Sequence, residues 1–191
     1  MGGAFDPIHF AHLLIAEEAR VAFDLDEVVF IPNNQPPIPK HQVLPATDRV
    51  EMVRLAVAGN PHFTVSTLEI DRQGPSFSYE TVLALKQARA QSEPFFFVTG
   101  ADAILGLQHW RKYEDLLVEC EFIAATRPGF DLEHLKTTMP SALANRVRFL
   151  PIPGLEISST DIRRRVNEGR SIRYLTPDAV VGYIQNKGLY R

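Results

Sequence analysis

The stretch GGAFDPIHFAH, Gly2 to His12, places two glycines, an Asp-Pro pair and two histidines within a few residues of one another. Pro7 suits the first turn of a helix, where its missing N–H costs nothing. His9 and His12 are three apart, so both imidazoles would face one side of that first turn. A helix start with unsatisfied N–H groups attracts phosphate. Imidazoles donate hydrogen bonds to phosphate oxygens, more strongly when protonated. Gly2 and Gly3 would let the backbone approach such a ligand closely. The pattern is neither the Walker loop nor the dinucleotide G-x-G-x-x-G fingerprint. Two solvated histidines, or half of a metal site, would have the same spacing.

A second candidate lies far along the chain. ISSTDIRRR (157–165) has the form of a helix start, with Ser158 and Asp161 at capping-box spacing. The helix terminus, the hydroxyls of Ser158 and Thr160, and Arg163 one turn inward would make another anion site. An ordinary capped helix with a solvated arginine run would be spelled the same way. Two such helix starts on one edge of a fold would grip a triphosphate from both sides.

The elements that must carry these groups read as alternating strands and helices. VVFI (28–31), FTVSTLEI (63–70), PFFFV (94–98), EFIAAT (121–126) and RVRFLPI (146–152) are short apolar runs of the buried-strand type. Helical stripes run through Ala11, Leu14, Ile15, Ala19, Ala22 and Phe23, and through Val50, Val53, Ala56 and Val57. Ser78 to Arg89 carries a third, with Val82, Leu85 and Ala88. A last helix starts near Thr176-Pro177 and ends at Gly188. The alternation predicts a doubly wound α/β sheet of parallel strands with helices on both faces. Each polar cluster, all but the first containing glycine, follows the carboxyl end of a run: 32–40, 69–78, 99–102, 126–129 and 154–160. That edge is where open α/β sheets bind ligands. The opening stretch precedes a helix in the same way but has only Met1 before it. The expectation is a single domain, 1–191, whose first strand is missing or truncated, with a gap in the core. The native reading frame would then begin upstream, or the chain is abbreviated.

Composition sets the outer limits. The 191 residues are enough for one α/β domain, and 45% are hydrophobic and 23% charged, as in ordinary soluble proteins. A net charge of −3 argues against a non-specific nucleic-acid or membrane binder. Cys120 is the only cysteine, which excludes an intrachain disulfide framework and a Cys-rich metal site and fits a reducing cytoplasm. No apolar run is long enough to span a bilayer, and the start lacks a basic-then-apolar leader.

Taken together, the motifs resemble a family. GAFDPIHFAH resembles the G-x-F-D-P-x-H-x-G-H signature of the nucleotidyltransferases, and ISSTDIR their I-S-S-T-x-I-R. That superfamily includes nicotinate-nucleotide and phosphopantetheine adenylyltransferases. GPSFSYET (74–81) is similar to the G-x-S-Y-T-x-D-T segment of the bacterial nicotinate-nucleotide enzymes. GADAILGLQHWRKYEDLL (100–117) resembles their G-A-D-x-x-x-x-L-x-x-W stretch, and TRPGF (126–130) their R-P-G turn. The resemblance covers Gly2 to Arg165 at least.

The resemblance implies a Rossmann-like fold and adenylyl transfer from ATP to nicotinate mononucleotide, giving nicotinate adenine dinucleotide and pyrophosphate. It implies His9, His12, Lys40 and Arg163 as the charge-stabilising groups. Gly2, Gly3, Phe5, Ser158 and Thr160 join the histidines and Arg163 in holding ATP. It places Ser78, Asp102, Trp110, Arg111 and Arg127 at the mononucleotide, with Mg²⁺ held mainly by phosphate and water. Trp110 would stack on the pyridine ring, although a core tryptophan reads alike; Asp102 also suits a helix cap, and Arg127 a loop pin. Three departures stand out. Ala11 replaces a glycine between the histidines; PPIPK (36–40) replaces P-P-H-K, so that His41 could share the role of Lys40; and the first strand is missing. A phosphopantetheine adenylyltransferase and a nucleotide-binding module without turnover are the alternatives. The preference for nicotinate over nicotinamide mononucleotide, and the existence of a homo-oligomer, stay open.

Overall fold

Parallel pairing needs crossover connections, which the helices between these buried strands supply, and every ladder among the described residues is parallel. The structure, a computed structural model, describes residues 1–36, 44–72, 74–88, 94–129, 131, 137, 139 and 141–191. Strands β1 (Gly2–Gly3), β2 (Val28–Pro32) and β3 (Phe63–Val65) form one sheet in the order β1-β2-β3. Strands β4 (Phe96–Gly100), β5 (Glu121–Thr126) and β6 (Val147–Pro151) form a second in the order β4-β5-β6. Helices α1 (Phe10–Ala22), α2 (Ala46–Val57), α3 (Leu68–Asp71), α4 (Ser78–Gln87), α5 (Ala101–Leu105), α6 (Tyr113–Glu119) and α7 (Ser141–Ala144) make the crossovers. Helices α8 (Ser159–Asn167) and α9 (Asp178–Lys187) complete the chain.

The period of two in β5 sorts the core. Phe122 and Ala124 pack with Val82, Ile104 and Leu116, from α4, α5 and α6. Ile123 and Ala125, on the other face, pack with Ala19 of α1 and with Val98 and Leu150. In the first sheet, Val28 and Phe30 join Met52 and Val53 of α2 and Val180 and Ile184 of α9. Helices therefore cover both faces, as the alternation predicts.

Three expectations need correction. FTVSTLEI (63–70) is not one strand: β3 stops at Val65, and Leu68–Asp71 is a helical turn. Ser66 Oγ accepts from the Leu68 N–H, and Thr67 Oγ1 donates to Asp71, so local side-chain bonds displace the ladder. Pro7 lies outside the first helical turn, because α1 begins at Phe10 with His9 as its cap. The opening stretch does have a strand, two residues long: Gly2 lies beside Ile31 and Gly3 beside Pro32. A cavity of about 480 Å³ adjoins it, lined by Met1, Val29, Ile31, Val82, Phe96 and Val98 among others. Among the described residues the two sheets share no ladder. Among the described residues, no helix is long and apolar enough to cross a membrane.

Candidate active site

The two histidines of the opening stretch are brought face to face. His9 caps α1 with extended backbone, φ −150° and ψ 170°. Its ring stacks on His12, with centroids 3.7 Å apart and planes inclined by 25°. The His9 backbone N–H donates to His12 Nδ1 at 3.3 Å. That bond fixes the tautomer: a neutral His12 must carry its proton on Nε2, so it can donate from there without being charged. Phe5 packs its ring edge against His12 at 5.1 Å and is itself only 2% exposed. The Phe5 side chain thus supports His12, and only its backbone is left for a nucleotide. Gly3 favours this packing, since a Cβ there would press on the Phe5 ring at 3.0 Å.

The second motif closes on the first. Ser158 caps α8, its Oγ accepting from the Asp161 N–H at 3.1 Å. Arg163 Nη1 donates to the Asp6 carbonyl at 2.7 Å, and Nη2 to Thr160 Oγ1 at 3.2 Å. Ser159 Oγ donates to the Pro7 carbonyl at 2.8 Å. The α8 start and the Gly2–His12 loop are therefore one assembly, with His9, His12, Thr160 and Arg163 on it.

Both imidazoles are kept neutral. Burial, then the positive charge of Arg127, lowers His9 to about 4. Burial, then His9, holds His12 well below the usual histidine value. The unfolded chain takes up these protons near pH 6.5, and the native state resists until about pH 4. Stability should therefore be full above pH 6.5 and fall as pH drops toward 4, by about 3 kcal/mol for His9 alone. Urea midpoints at pH 7 and pH 5 measure this, and His9→Gln should flatten the difference. An unchanged slope in that variant would refute the assignment.

Of the residues expected at the mononucleotide, Trp110 packs on the second sheet. Trp110 is half-buried and meets Phe97 and Phe122 edge-on, at 5.7 and 6.4 Å. It follows the one-turn 3₁₀ helix Leu107–His109. The exposed Arg111 lies over the Phe77 ring at 4.6 Å and pairs with Glu80 at 3.4 Å, which ties the Trp110 segment to the start of α4. Ser78 is the first residue of α4. Asp102 is exposed in the first turn of α5, whose cap is Gly100, so it is not the cap itself. Arg127 follows β5, exposed, with its charge felt by His9. Loops after β2 and β3 are stitched together: the Ser76 N–H donates to Gln35 O at 2.7 Å, and the Asn34 N–H to Ser76 Oγ at 3.0 Å. Lys40 and His41 lie outside the described residues.

Three residues outside the motifs, and Ser159 within the second of them, hold the loop from behind. Arg49 of α2 is 1% exposed and donates to Ala4 O and Asn33 O, both at 2.7 Å. Thr176 Oγ1 donates to Ile8 O at 2.7 Å, and Tyr190 Oη to Asp6 Oδ1 at 2.6 Å. With Ser159, they bond backbone carbonyls or a loop carboxylate. One signal was available for Arg49: it sits on the buried stripe of α2 with Val53 and Val57, where a charged residue needs partners. Among the described residues, no three His, Cys, Asp or Glu side chains come together as a metal cage.

The chain is similar to known proteins along its whole length. A family profile described as cytidylyltransferase-like matches residues 1–165. A relative from Moorella thermoacetica, named "Probable nicotinate-nucleotide adenylyltransferase", is 47% identical over all of this chain and 90% of its own. A Frankia alni protein of the same name is 47% identical over all of this chain and 98% of its own. The solved Plasmodium falciparum nicotinic acid mononucleotide adenylyltransferase complexed with NaAD superposes with a TM-score of 0.81 at 21% identity, covering 99% of this chain and 94% of that one.

Proposed function

The chain belongs to the cytidylyltransferase-like family, and on that premise we propose that it transfers the adenylyl group of ATP to nicotinate mononucleotide. The products are nicotinate adenine dinucleotide and pyrophosphate. The observation that carries this reading is the joining of the two phosphate-competent helix starts, α1 and α8, by the Arg163 bond to Asp6 O. That assembly sits on a chain nearly half identical, over its full length, to proteins named for this activity.

A phosphate oxygen of the mononucleotide attacks the α-phosphorus of ATP in line. The new bond is from that oxygen to phosphorus; the bond that breaks runs from the α-phosphorus to the bridging oxygen, which leaves with pyrophosphate. No protein nucleophile takes part, so the chain contributes positioning and stabilisation of developing charge. His12 Nε2–H faces charge as a neutral donor, because Nδ1 is occupied by the His9 N–H. Arg163 supplies fixed positive charge beside Thr160 and the Asp6 carbonyl. The first-turn N–H groups of α1 and α8 add the field of two helix ends. Mg²⁺ would arrive with the ATP phosphates, held by phosphate and water as befits a hard cation with few protein oxygens to bind. Lys40 would add further positive charge.

Trp110 offers the flat partner for the pyridine ring, braced at its edges by Phe97 and Phe122. Trp110→Ala should raise KM for nicotinate mononucleotide about tenfold or more while leaving KM for ATP within about twofold, on the scale of one aromatic stacking contact. Equal rises in steady-state assays would remove Trp110 from that role. Ser78, Asp102, Arg111 and Arg127 would contact the mononucleotide beside it. We read the protein as a cytoplasmic enzyme; its one cysteine is free and buried, and burial pushes the thiol up to about 12.

The test is product formation. Purified protein with Mg²⁺, ATP and nicotinate mononucleotide should release pyrophosphate and form the dinucleotide. Turnover of phosphopantetheine instead would replace the acceptor. ATP binding by calorimetry with no product from either acceptor would leave a binding module and end the enzyme reading.

A further inference from the structure

We propose that Tyr190, at the far end of the chain, is a positioning residue for the nucleotide loop and acts through Asp6. The proposal rests on the reading of that loop as the ATP phosphate site. Within the loop, the Ala4, Asp6, Pro7 and Ile8 carbonyls each receive a side-chain donor from a distant element: Arg49, Arg163, Ser159 and Thr176, respectively. Asp6 is the only one of the four held at both backbone and side chain. Arg163 takes its carbonyl, and Tyr190 Oη donates to its carboxylate at 2.6 Å. The carboxylate is buried, with Asp6 2% exposed. A hydrogen bond to a buried carboxylate is charge-assisted and directional, so it fixes where Asp6 lies. Whatever fixes Asp6 also fixes the carbonyl on which Arg163 rests.

The tail is built to make this contact. Gly188 ends α9 in the left-handed region at φ 63°. The Leu189 N–H donates to Ile184 O at 3.0 Å and the Gly188 N–H to Gln185 O at 3.2 Å, the two bonds of a Schellman turn. This turn reverses the chain, and Tyr190 follows, itself at φ 63°. A tyrosine held in the left-handed region adopts a conformation that side chains other than glycine seldom take. Its ring packs on the core shared by Phe5, Ile8 and Ile162. Burial and the Asp6 partner push the phenol far above its usual value, so it stays a donor throughout the working pH range.

Tyr190→Phe removes the hydroxyl and keeps the ring. The expected result is a fall in kcat of about tenfold, with KM for nicotinate mononucleotide within about twofold, since the group acts on transition-state donors and not on the pyridine site. The loss should vanish in an Asp6→Asn background, because the two residues act as one unit. An unchanged kcat overturns the proposal. So does additivity with Asp6→Asn, or a loss that only tracks the unfolded fraction in a melt. If Tyr190→Phe does not fold, Asp6→Asn alone must show the same split of kcat from KM. If the wild-type protein makes no dinucleotide, the adenylyl-transfer reading fails separately. Calorimetry with ATP then decides, and about tenfold weaker binding in Tyr190→Phe is required.

Discussion

His12→Ala should lower kcat by about a hundredfold or more, the scale of losing one donor aimed at transition-state charge. The expectation follows from where the proton sits. The His9 N–H occupies His12 Nδ1, so Nε2 carries the hydrogen. The stack with His9 and the edge of Phe5 hold the ring in that orientation. A donor held in place before the reaction costs no reorganisation when charge moves to the leaving pyrophosphate, and this is why it acts on kcat more than on KM for ATP. The donor is also neutral, because burial and His9 keep His12 from charging. Wild-type kcat/KM should therefore show no loss as pH rises through 6.5, where a catalytic imidazolium would titrate. Steady-state rates for wild type and variant across pH 6 to 8.5 check both statements. A loss under about threefold in His12→Ala would take the residue out of the mechanism. A fall in wild-type kcat/KM centred near pH 6.5 would mean that the charged form is the working one.

The sheet was legible where side chains carry the signal. EFIAAT is both the expected run and the observed β5, residue for residue, because Phe122 to Ala125 alternate between two buried layers. The run 63–70 misled because Ser66 and Thr67 look neutral in a β pattern, while their hydroxyls make local bonds that end the strand. β1 was not legible: Gly2 and Gly3 have no side chains from which to read a period. The start of α1 was misplaced for a related reason. Its cap is a histidine, a residue outside the usual capping set, so Pro7 was the stronger visible cue.

The site divides in the same way. His9, His12, Ser158 and Arg163 could be found because helix-start chemistry has a spelling, and the fold then brings the two spellings together. The residues that hold the loop in place could not. Arg49, Ser159, Thr176 and Tyr190 bond to backbone carbonyls or to Asp6 across separations of 45 to 184 residues. A carbonyl acceptor exists at every position, so no local pattern tells which donor will meet which acceptor. Trp110 lies between these cases: its ring was expected at a ligand or in the core, and it is packed on core phenylalanines while still half-exposed.

Arg49→Met should cost about 3–5 kcal/mol of stability, the scale seen when one member of a buried hydrogen-bonded set is removed. The guanidinium is 1% exposed and bridges three segments, donating to Ala4 O, Asn33 O and Leu44 O. Those carbonyls lie just past β1, just past β2 and shortly before α2, so one side chain links the nucleotide loop to the rest of the first sheet. Burial lowers the Arg49 pKa, yet the charge of Asp6 opposes that shift, and the residue stays protonated. Methionine keeps much of the volume without any donor, so the loss it causes measures the hydrogen bonds more than the packing. A chain of this size loses about 2–4 °C of Tm per kcal/mol, which puts the expected drop near 10 °C. Arg49→Lys keeps the charge on a single point that cannot reach all three carbonyls, and it should recover less than half of the loss. At a temperature where the variants are folded, ATP binding should still weaken, because Ala4 and Asp6 no longer share a fixed frame. A thermal shift under about 3 °C for Arg49→Met would mean that Arg163, Ser159, Thr176 and Tyr190 hold the loop without it.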